Sequence, residues 1–102
     1  MNSKLIVAVL FVLMMVAGAA QAGGDAARGA ELAVDCADCH GADGMGDDES
    51  PKLAGLEEAY HIEQLQAFKS GERPDEEEMM LMYTEDLSDQ DMADLAAYYS
   101  GL

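Results

Sequence analysis

Cys36-Ala37-Asp38-Cys39-His40 is the stretch that decides the fold of this 102-residue chain. It has the C-x-x-C-H pattern by which proteins attach a c-type haem. Two thiols two residues apart can form thioether bonds to the two vinyl groups of one porphyrin. The imidazole that follows them can bind the iron as its proximal ligand. The pattern therefore predicts one covalently bound haem, held by Cys36, Cys39 and His40.

Other uses of two cysteines are weaker interpretations of the same residues. A zinc site usually needs four ligands, and His61 is the one further histidine, so a site of two cysteines and two histidines is conceivable. A thioredoxin-like redox pair requires a βαβ setting, and the chain has no strand-like alternation of apolar and polar residues. A disulfide in an exported protein is a third alternative.

Residues 1–22 have the features of a secretory signal peptide. Lys4 supplies a positive charge, Leu5 to Val16 is an apolar run, and Ala20-Gln21-Ala22 is a small-residue cleavage site. The apolar stretch is shorter than the about 20 residues of a membrane-spanning helix, so a retained membrane anchor is the less favoured alternative. We expect cleavage, and a single domain at residues 23–102 in the bacterial periplasm.

Charge restricts the partners of this domain. The chain has 21 acidic and 5 basic residues, for a formal net charge of −16. Nucleic acid and anionic lipid would be repelled by such a surface, so we expect neither as a partner. A redox protein with a basic docking surface would be attracted. Solvation of the surface, for example at high salt, is an equally weighted explanation of the acidity.

The remaining sequence predicts an all-α domain of three main helices and glycine-rich loops. Asp25 and Ser88 are suited to cap the first and last helix. Gly29 is a poor residue inside a helix, which indicates that another element approaches closely there. Glu76–Glu78 is interpreted as a solvated charge run. The predicted segments are a helix over Asp25–Ala37, a loop over Gly41–Gly55, a helix over Leu56–Ser70, an apolar loop at Met79–Met82 and a helix after Ser88.

Taken together, these motifs resemble those of class I c-type cytochromes, the small soluble bacterial proteins with one haem. The chain is also similar to one domain of the dihaem cytochromes c. The resemblance extends over residues 25–102 and implies a cytochrome c fold, with helices and loops packed around one haem c. In chain order the motifs are the glycine-bearing first helix, Cys36–His40, Gly41–Gly44, Pro51–Gly55, Gln64-Leu65, the methionine-bearing loop, Leu87–Asp91 and Ala96–Tyr99.

The resemblance also implies roles for individual residues. Cys36 and Cys39 match the thioether positions, and His40 matches the proximal ligand. Pro51 matches the proline whose carbonyl accepts a hydrogen bond from the other ring nitrogen of that histidine, which orients the ring and tunes the iron. Gly29 matches the position where the first helix crosses the last one, against Tyr98 or Tyr99.

A methionine is the expected sixth ligand, since thioether sulfur favours ferrous iron. In similar sequences the ligand lies eight residues before the serine that opens the last helix. Counting back from Ser88 gives Met80, with Met79 and Met82 as alternatives. All three could also be packing residues, which would leave the sixth position open.

Three further residues are expected to lie outside the coordination sphere. Met92 is predicted to fill the core on the apolar face of the last helix. Met45 follows the haem motif too closely to match the family's ligand position. His61 is interpreted as a surface histidine and not as a rival axial ligand.

With His40 and Met80 filling both axial positions, the expected function is electron transfer and not catalysis. The protein is expected to be a monomer that meets redox partners in transient complexes. The first alternative is a haem subunit of a larger periplasmic oxidoreductase. A ligand-binding or catalytic haem protein is the second alternative, and it requires an open sixth position.

Overall fold

The computed structural model describes residues 23–102, and the expected signal peptide at residues 1–22 lies outside the described residues. The described part contains five helices and no strand. The helices are α1 (Ala26–Leu32), α2 (Val34–His40), α3 (Glu58–Ser70), α4 (Met79–Thr84) and α5 (Asp89–Ser100). The three main helices of the sequence prediction correspond to α1 with α2, to α3 and to α5.

Helix α1 crosses α5 at Gly29. A side chain at Gly29 would overlap the backbone of Asp94 and the Cβ of Tyr98, so the two helices approach more closely than any other residue would permit. This confirms the close approach predicted for Gly29 and identifies Tyr98 as its aromatic neighbour.

The crossing is held by a buried carboxylate. Asp94 is 1% exposed and accepts three hydrogen bonds, from the backbone N–H of Asp25 (2.7 Å), from Arg28 Nη1 (2.7 Å) and from Gln90 Nε2 (2.8 Å). Arg28 also forms an ion pair with Asp91 at 2.6 Å. We refer to Asp25, Arg28, Gln90, Asp91 and Asp94 as the α1–α5 clamp.

Hydrogen-bonding side chains begin both of these helices, as the sequence predicts. Asp25 accepts hydrogen bonds from the backbone of Ala27 and Arg28 at the start of α1. Ser88 and Asp91 form a reciprocal capping box at the start of α5. Between the helices, the core consists of Ala33, Leu65, Met92, Leu95 and Tyr99. The core position predicted for Met92 is confirmed by its 1% exposure.

The helices differ from the prediction in several places, and α3 begins at Glu58 instead of Leu56. The first predicted helix is divided at Ala33 and extends to His40 instead of Ala37, ending where Gly41 adopts a φ of 87°. The Met79–Met82 segment was expected to be a loop but forms the short helix α4. Asp75 accepts a hydrogen bond from the backbone N–H of Met80 at 2.9 Å, which supplies the first turn of α4 with a partner.

Candidate functional site

Helix α2 places the three residues of the haem motif on one face. Cys36 and Cys39 are three residues apart and Cys36 and His40 are four apart, and both spacings bring side chains together on a helix. Both cysteines are free thiols, Cys36 half-buried and Cys39 exposed. The alternative of a disulfide is therefore wrong for this structure. Burial raises the pKa of the Cys36 thiol.

The ring of His40 is oriented by Pro51. His40 is 6% exposed, and its Nδ1 lies 2.8 Å from the carbonyl oxygen of Pro51. Because a carbonyl can only accept, Nδ1 carries the proton of the neutral ring. The lone pair of Nε2 is then available to a metal. The predicted hydrogen bond between His40 and Pro51 is confirmed.

The loop over residues 41–55 presents Pro51 through a set of backbone hydrogen bonds. Gly46 donates to the carbonyl of His40 at 2.7 Å. The side chain of Asp47 accepts from the N–H groups of Glu49 (2.9 Å) and Ser50 (2.8 Å), and these bonds lower the pKa of the Asp47 carboxyl. The glycine-rich loop of the sequence prediction is thus an ordered turn anchored to the end of α2.

A cavity of about 790 Å³ joins these residues to the methionines. Its lining includes Cys36, Cys39, His40 and Pro51 together with Met79 and Met80 of α4. The volume lies within the roughly 300–1,000 Å³ typical of cofactor sites. The structure therefore brings all the predicted site residues to one cavity.

The methionines differ in their relation to this cavity. Met80 is half-buried and packs against the core cluster, and both its backbone N–H and its carbonyl are held, by Asp75 and by Thr84 at 2.7 Å. Met79 lines the cavity but is 39% exposed, whereas Met82 is 53% exposed and does not line it. Met45 also lies outside the lining.

The donor set fits a haem c. Two free thiols, an imidazole whose Nε2 is free and a half-buried thioether share one apolar cavity, which is the combination that attaches a porphyrin and binds its iron. Within residues 23–102 no group of three or more His, Cys, Asp or Glu side chains is placed to hold a metal ion. The structure therefore gives the alternative zinc site no support.

The interpretation of His61 as a surface residue is wrong. His61 is 3% exposed, lines the cavity, and packs with its ring centroid 5.6 Å from that of Tyr99. Burial lowers its pKa to about 4 because the charged imidazolium is poorly solvated there. Its Nδ1 has no hydrogen-bond partner among the residues that the structure describes. The signal was available in the sequence, since His61 precedes the buried Leu65 by four residues on α3.

Sequence reasoning also missed a cation at the cavity. Arg73 lines it, lies 4.5 Å from the centroid of the Phe68 ring and donates to Gln64 Oε1 at 2.7 Å. Lys52 is a second lining cation, and Glu76 and Glu77 are lining anions. No short motif indicates a role for Arg73, because its partners Phe68 and Gln64 lie on the preceding helix α3.

The surface near α4 combines apolar and acidic side chains. Met79, Met82 and Tyr83 are 39%, 53% and 40% exposed, and they follow the acidic run Glu76–Glu78 directly. We refer to these six residues as the α4 surface. Among residues 23–102, no helix is long and apolar enough to cross a membrane.

The sequence of the chain is similar to those of known proteins. The cytochrome c family profile matches residues 26–102. The chain is 44% identical over 99 residues to cytochrome c4 of Pseudomonas aeruginosa, an alignment that covers 96% of the chain and 48% of that relative. It is 42% identical over 72 residues to a thiosulfate dehydrogenase electron acceptor of Thiomonas intermedia, covering 69% of the chain and 32% of that relative.

The fold has a close counterpart among solved structures. The structure of cytochrome c4 from Acidithiobacillus ferrooxidans superimposes with a TM-score of 0.72 at 30% identity, over 80% of this chain and 53% of that one. The chain thus spans about half the length of the cytochrome c4 relatives it matches.

Proposed function

Because the chain belongs to the cytochrome c family, we propose that it is an electron-transfer protein carrying one haem c. The observation that carries this proposal is the shared cavity, in which Cys36, Cys39 and His40 meet Met79 and Met80. When bound, the haem supplies one-electron chemistry by alternation of its iron between the ferrous and ferric states.

The residues of α2 hold the group in this proposal. Cys36 and Cys39 form the two thioether bonds, which makes attachment permanent. His40 would hold the iron through Nε2, while Pro51 keeps its Nδ1 protonated and fixes the plane of the ring. The hydrogen bond that orients the ring of a ligand histidine is thus already made within the chain.

Met80 would hold the iron on the side opposite His40 in this proposal. Its half-buried side chain and its two backbone hydrogen bonds to Asp75 and Thr84 support Met80 over the more exposed Met79. Met82 does not line the cavity. If His40 and Met80 both held the iron, no position would be left for a substrate, and the protein would act as a carrier and not as an enzyme.

The α4 surface is the docking site in this proposal. Its exposed Met79, Met82 and Tyr83 provide apolar contact area beside Glu76–Glu78, and the chain carries a net charge of −16. A redox partner with a basic docking surface would be attracted over a distance and would bind weakly, with strong salt dependence. Nucleic acid does not fit this charge.

The site of action is proposed to be the periplasm. The signal-peptide pattern of residues 1–22 supports export, followed by cleavage that leaves residues 23–102 without a stable membrane insertion. Haem attachment in bacteria takes place outside the cytoplasmic membrane, in the same compartment. A monomer that forms transient complexes agrees with the acidic surface.

Absorption spectra of the protein from a haem-attaching host test this proposal. We expect covalent haem, a low-spin iron in both oxidation states and a sulfur-to-iron charge-transfer band in the oxidised protein. Met80→Ala should abolish that band and let carbon monoxide bind the reduced protein, whereas Met79→Ala and Met82→Ala should keep the band. Ready carbon monoxide binding to the unmodified protein would instead indicate an open sixth position and contradict the carrier function.

A haem subunit of a larger oxidoreductase is a second candidate function. The observation that favours it is the similarity to a protein named as the electron acceptor of thiosulfate dehydrogenase. In that case the α4 surface would be covered by a partner permanently. Sedimentation of the native protein at micromolar concentration separates the two, since a free carrier stays monomeric and a subunit is recovered with its catalytic partner.

A further inference from the structure

The loop that carries Pro51 contains one residue that touches both ends of the His40–Pro51 pair. Gly46 donates its backbone N–H to the carbonyl oxygen of His40 at 2.7 Å. Its Cα faces the carbonyl of Pro51, which is the acceptor of the His40 ring proton. No motif assigned a role to this glycine.

The space at Gly46 is too small for any side chain. A Cβ there would lie 2.6 Å from the carbonyl carbon of Pro51 and 2.7 Å from its oxygen, and would also overlap the carbonyl of Ser50. All three are backbone atoms, so the contact cannot be relieved by a change of rotamer. Gly46 also has a φ of 69°, a conformation that L side chains rarely adopt.

We propose that Gly46 is a positioning residue for the proximal ligand, setting the distance between the Pro51 carbonyl and His40 Nδ1 and thereby the reduction potential of the bound iron. The inference rests on the proposed function, since it concerns the iron that His40 holds. A hydrogen bond to a carbonyl makes an imidazole ligand more electron-rich. An electron-rich ligand stabilises the ferric state, so a weakened bond raises the reduction potential.

Gly46→Ala tests this directly in the haem-loaded protein. The added Cβ should move the Pro51 carbonyl away from His40 and change the redox equilibrium about tenfold, by analogy with the roughly 10–100-fold effect of such partners on metal affinity or activity. For a one-electron couple this is a rise of about 59 mV. The His40 ring proton should also exchange faster with solvent, as followed by proton NMR of the reduced protein.

The matched control is Gly71→Ala. Gly71 has a φ of 83° but nothing within 4 Å of a Cβ, so this variant carries the backbone strain without the contact. We expect it to lose stability and to keep the reduction potential and the ring-proton exchange of the parent. Equal potentials and exchange rates in Gly46→Ala and Gly71→Ala would overturn the proposal.

A second pair of variants decides the matter if Gly46→Ala does not fold. Asp47→Ala removes the two hydrogen bonds that close the same turn, and Asp47 is exposed. Asp48→Ala removes the same charge from an exposed neighbour for which the described residues provide no side-chain hydrogen bond. We expect a higher potential and faster ring-proton exchange in Asp47→Ala than in Asp48→Ala. Equality of the two would then overturn the proposal.

Failure of this inference is distinguishable from failure of the proposed function. The absence of covalent haem or of a methionine ligand in the unmodified protein contradicts the function. A normal haem spectrum in the unmodified protein, with the variant pairs indistinguishable, contradicts only the role of Gly46.

Discussion

Asp94 and His61 are both polar and almost fully buried, but their surroundings differ. Asp94, 1% exposed, accepts hydrogen bonds from three donors of the α1–α5 clamp. His61, 3% exposed, lines the cavity, and its Nδ1 has no partner within residues 23–102. Buried polar groups in proteins are nearly always paired. The buried carboxylate of the clamp thus has all its hydrogen-bond partners within the chain. The wall of the cavity, in contrast, includes a buried nitrogen without a partner among the described residues.

Removal of the central carboxylate should break the clamp and have the largest effect. Asp94→Ala leaves the N–H of Asp25 and the guanidinium of Arg28 without their acceptor. Because hydrogen bonds to charged groups are the strong ones, we expect the midpoint of thermal unfolding to fall by roughly 20 °C for a domain of this size. Asp86→Ala, an exposed site with the same charge change, is the control and should differ little from the parent.

If thermal unfolding followed by circular dichroism gave the two variants the same midpoint, the clamp would not hold the fold. Haem absorbance measured in parallel reports whether the cavity opens at the same temperature as the helices. We expect the two transitions to coincide, since α5 contributes Leu95 and Tyr99 to the cavity lining.

Acidification should lower the stability of the protein through His61, the buried residue without a hydrogen-bond partner among the described residues. The pKa of His61 is lowered to about 4 from 6.5. The unfolded chain therefore binds a proton at His61 before the folded one does, and the stability present above pH 6.5 is lost as the pH falls toward 4. Between pH 7 and pH 5 we expect a loss of about 2 kcal/mol in the free energy of unfolding.

Denaturant unfolding of the parent and of His61→Leu at both pH values checks this expectation. The variant lacks the titrating ring and should show a correspondingly smaller loss. The clamp does not obscure the comparison, because the pKa values of Asp91 and Asp94 are lowered and their contribution is lost only at more acidic pH. An equal loss in both proteins would show that another group is responsible.

The smallest effect is expected for the same substitution at neutral pH. His61→Leu replaces an unpaired buried ring with an apolar side chain and should stabilise the haem-loaded protein by about 1 kcal/mol. Equilibrium unfolding in guanidinium chloride measures this. A loss of stability would instead mean that His61 gains a partner when the haem is attached, and the comparison with Asp94 would no longer hold.

Much of the fold could be predicted from short motifs. The bond between His40 and Pro51, the capping residues and the close approach at Gly29 are local or family patterns, and the structure confirms them. The expected all-α cytochrome c fold is likewise confirmed by the superposition on cytochrome c4. Signal-peptide cleavage, haem attachment by Cys36 and Cys39, and iron ligation by His40 and Met80 stay predictions.

One feature that escaped prediction depends on partners distant in sequence, and two others are local. The Arg28–Asp94 bond joins residues 66 positions apart, and no periodicity in either helix indicates it. The first turn of α4 is stabilised by a hydrogen bond from the backbone N–H of Met80 to the side chain of Asp75. The sequence does not indicate this bond, because Asp75 is one of four consecutive acidic residues. The burial of His61 escaped prediction for a local reason, since the buried face of α3 contains His61 whereas its aromatic neighbour Tyr60 is 49% exposed.

The α1–α5 clamp has a consequence for the order in which the chain can mature. A chain exported from its N-terminus delivers α1 and α2 before α5, which holds Asp91 and Asp94, the partners of Asp25 and Arg28. The first helix therefore cannot dock through these contacts until α5 is also available. Cys39 is exposed even in the folded structure, whereas Cys36 is half-buried, so we expect the interval before α5 docks to ease the joining of a haem to Cys36.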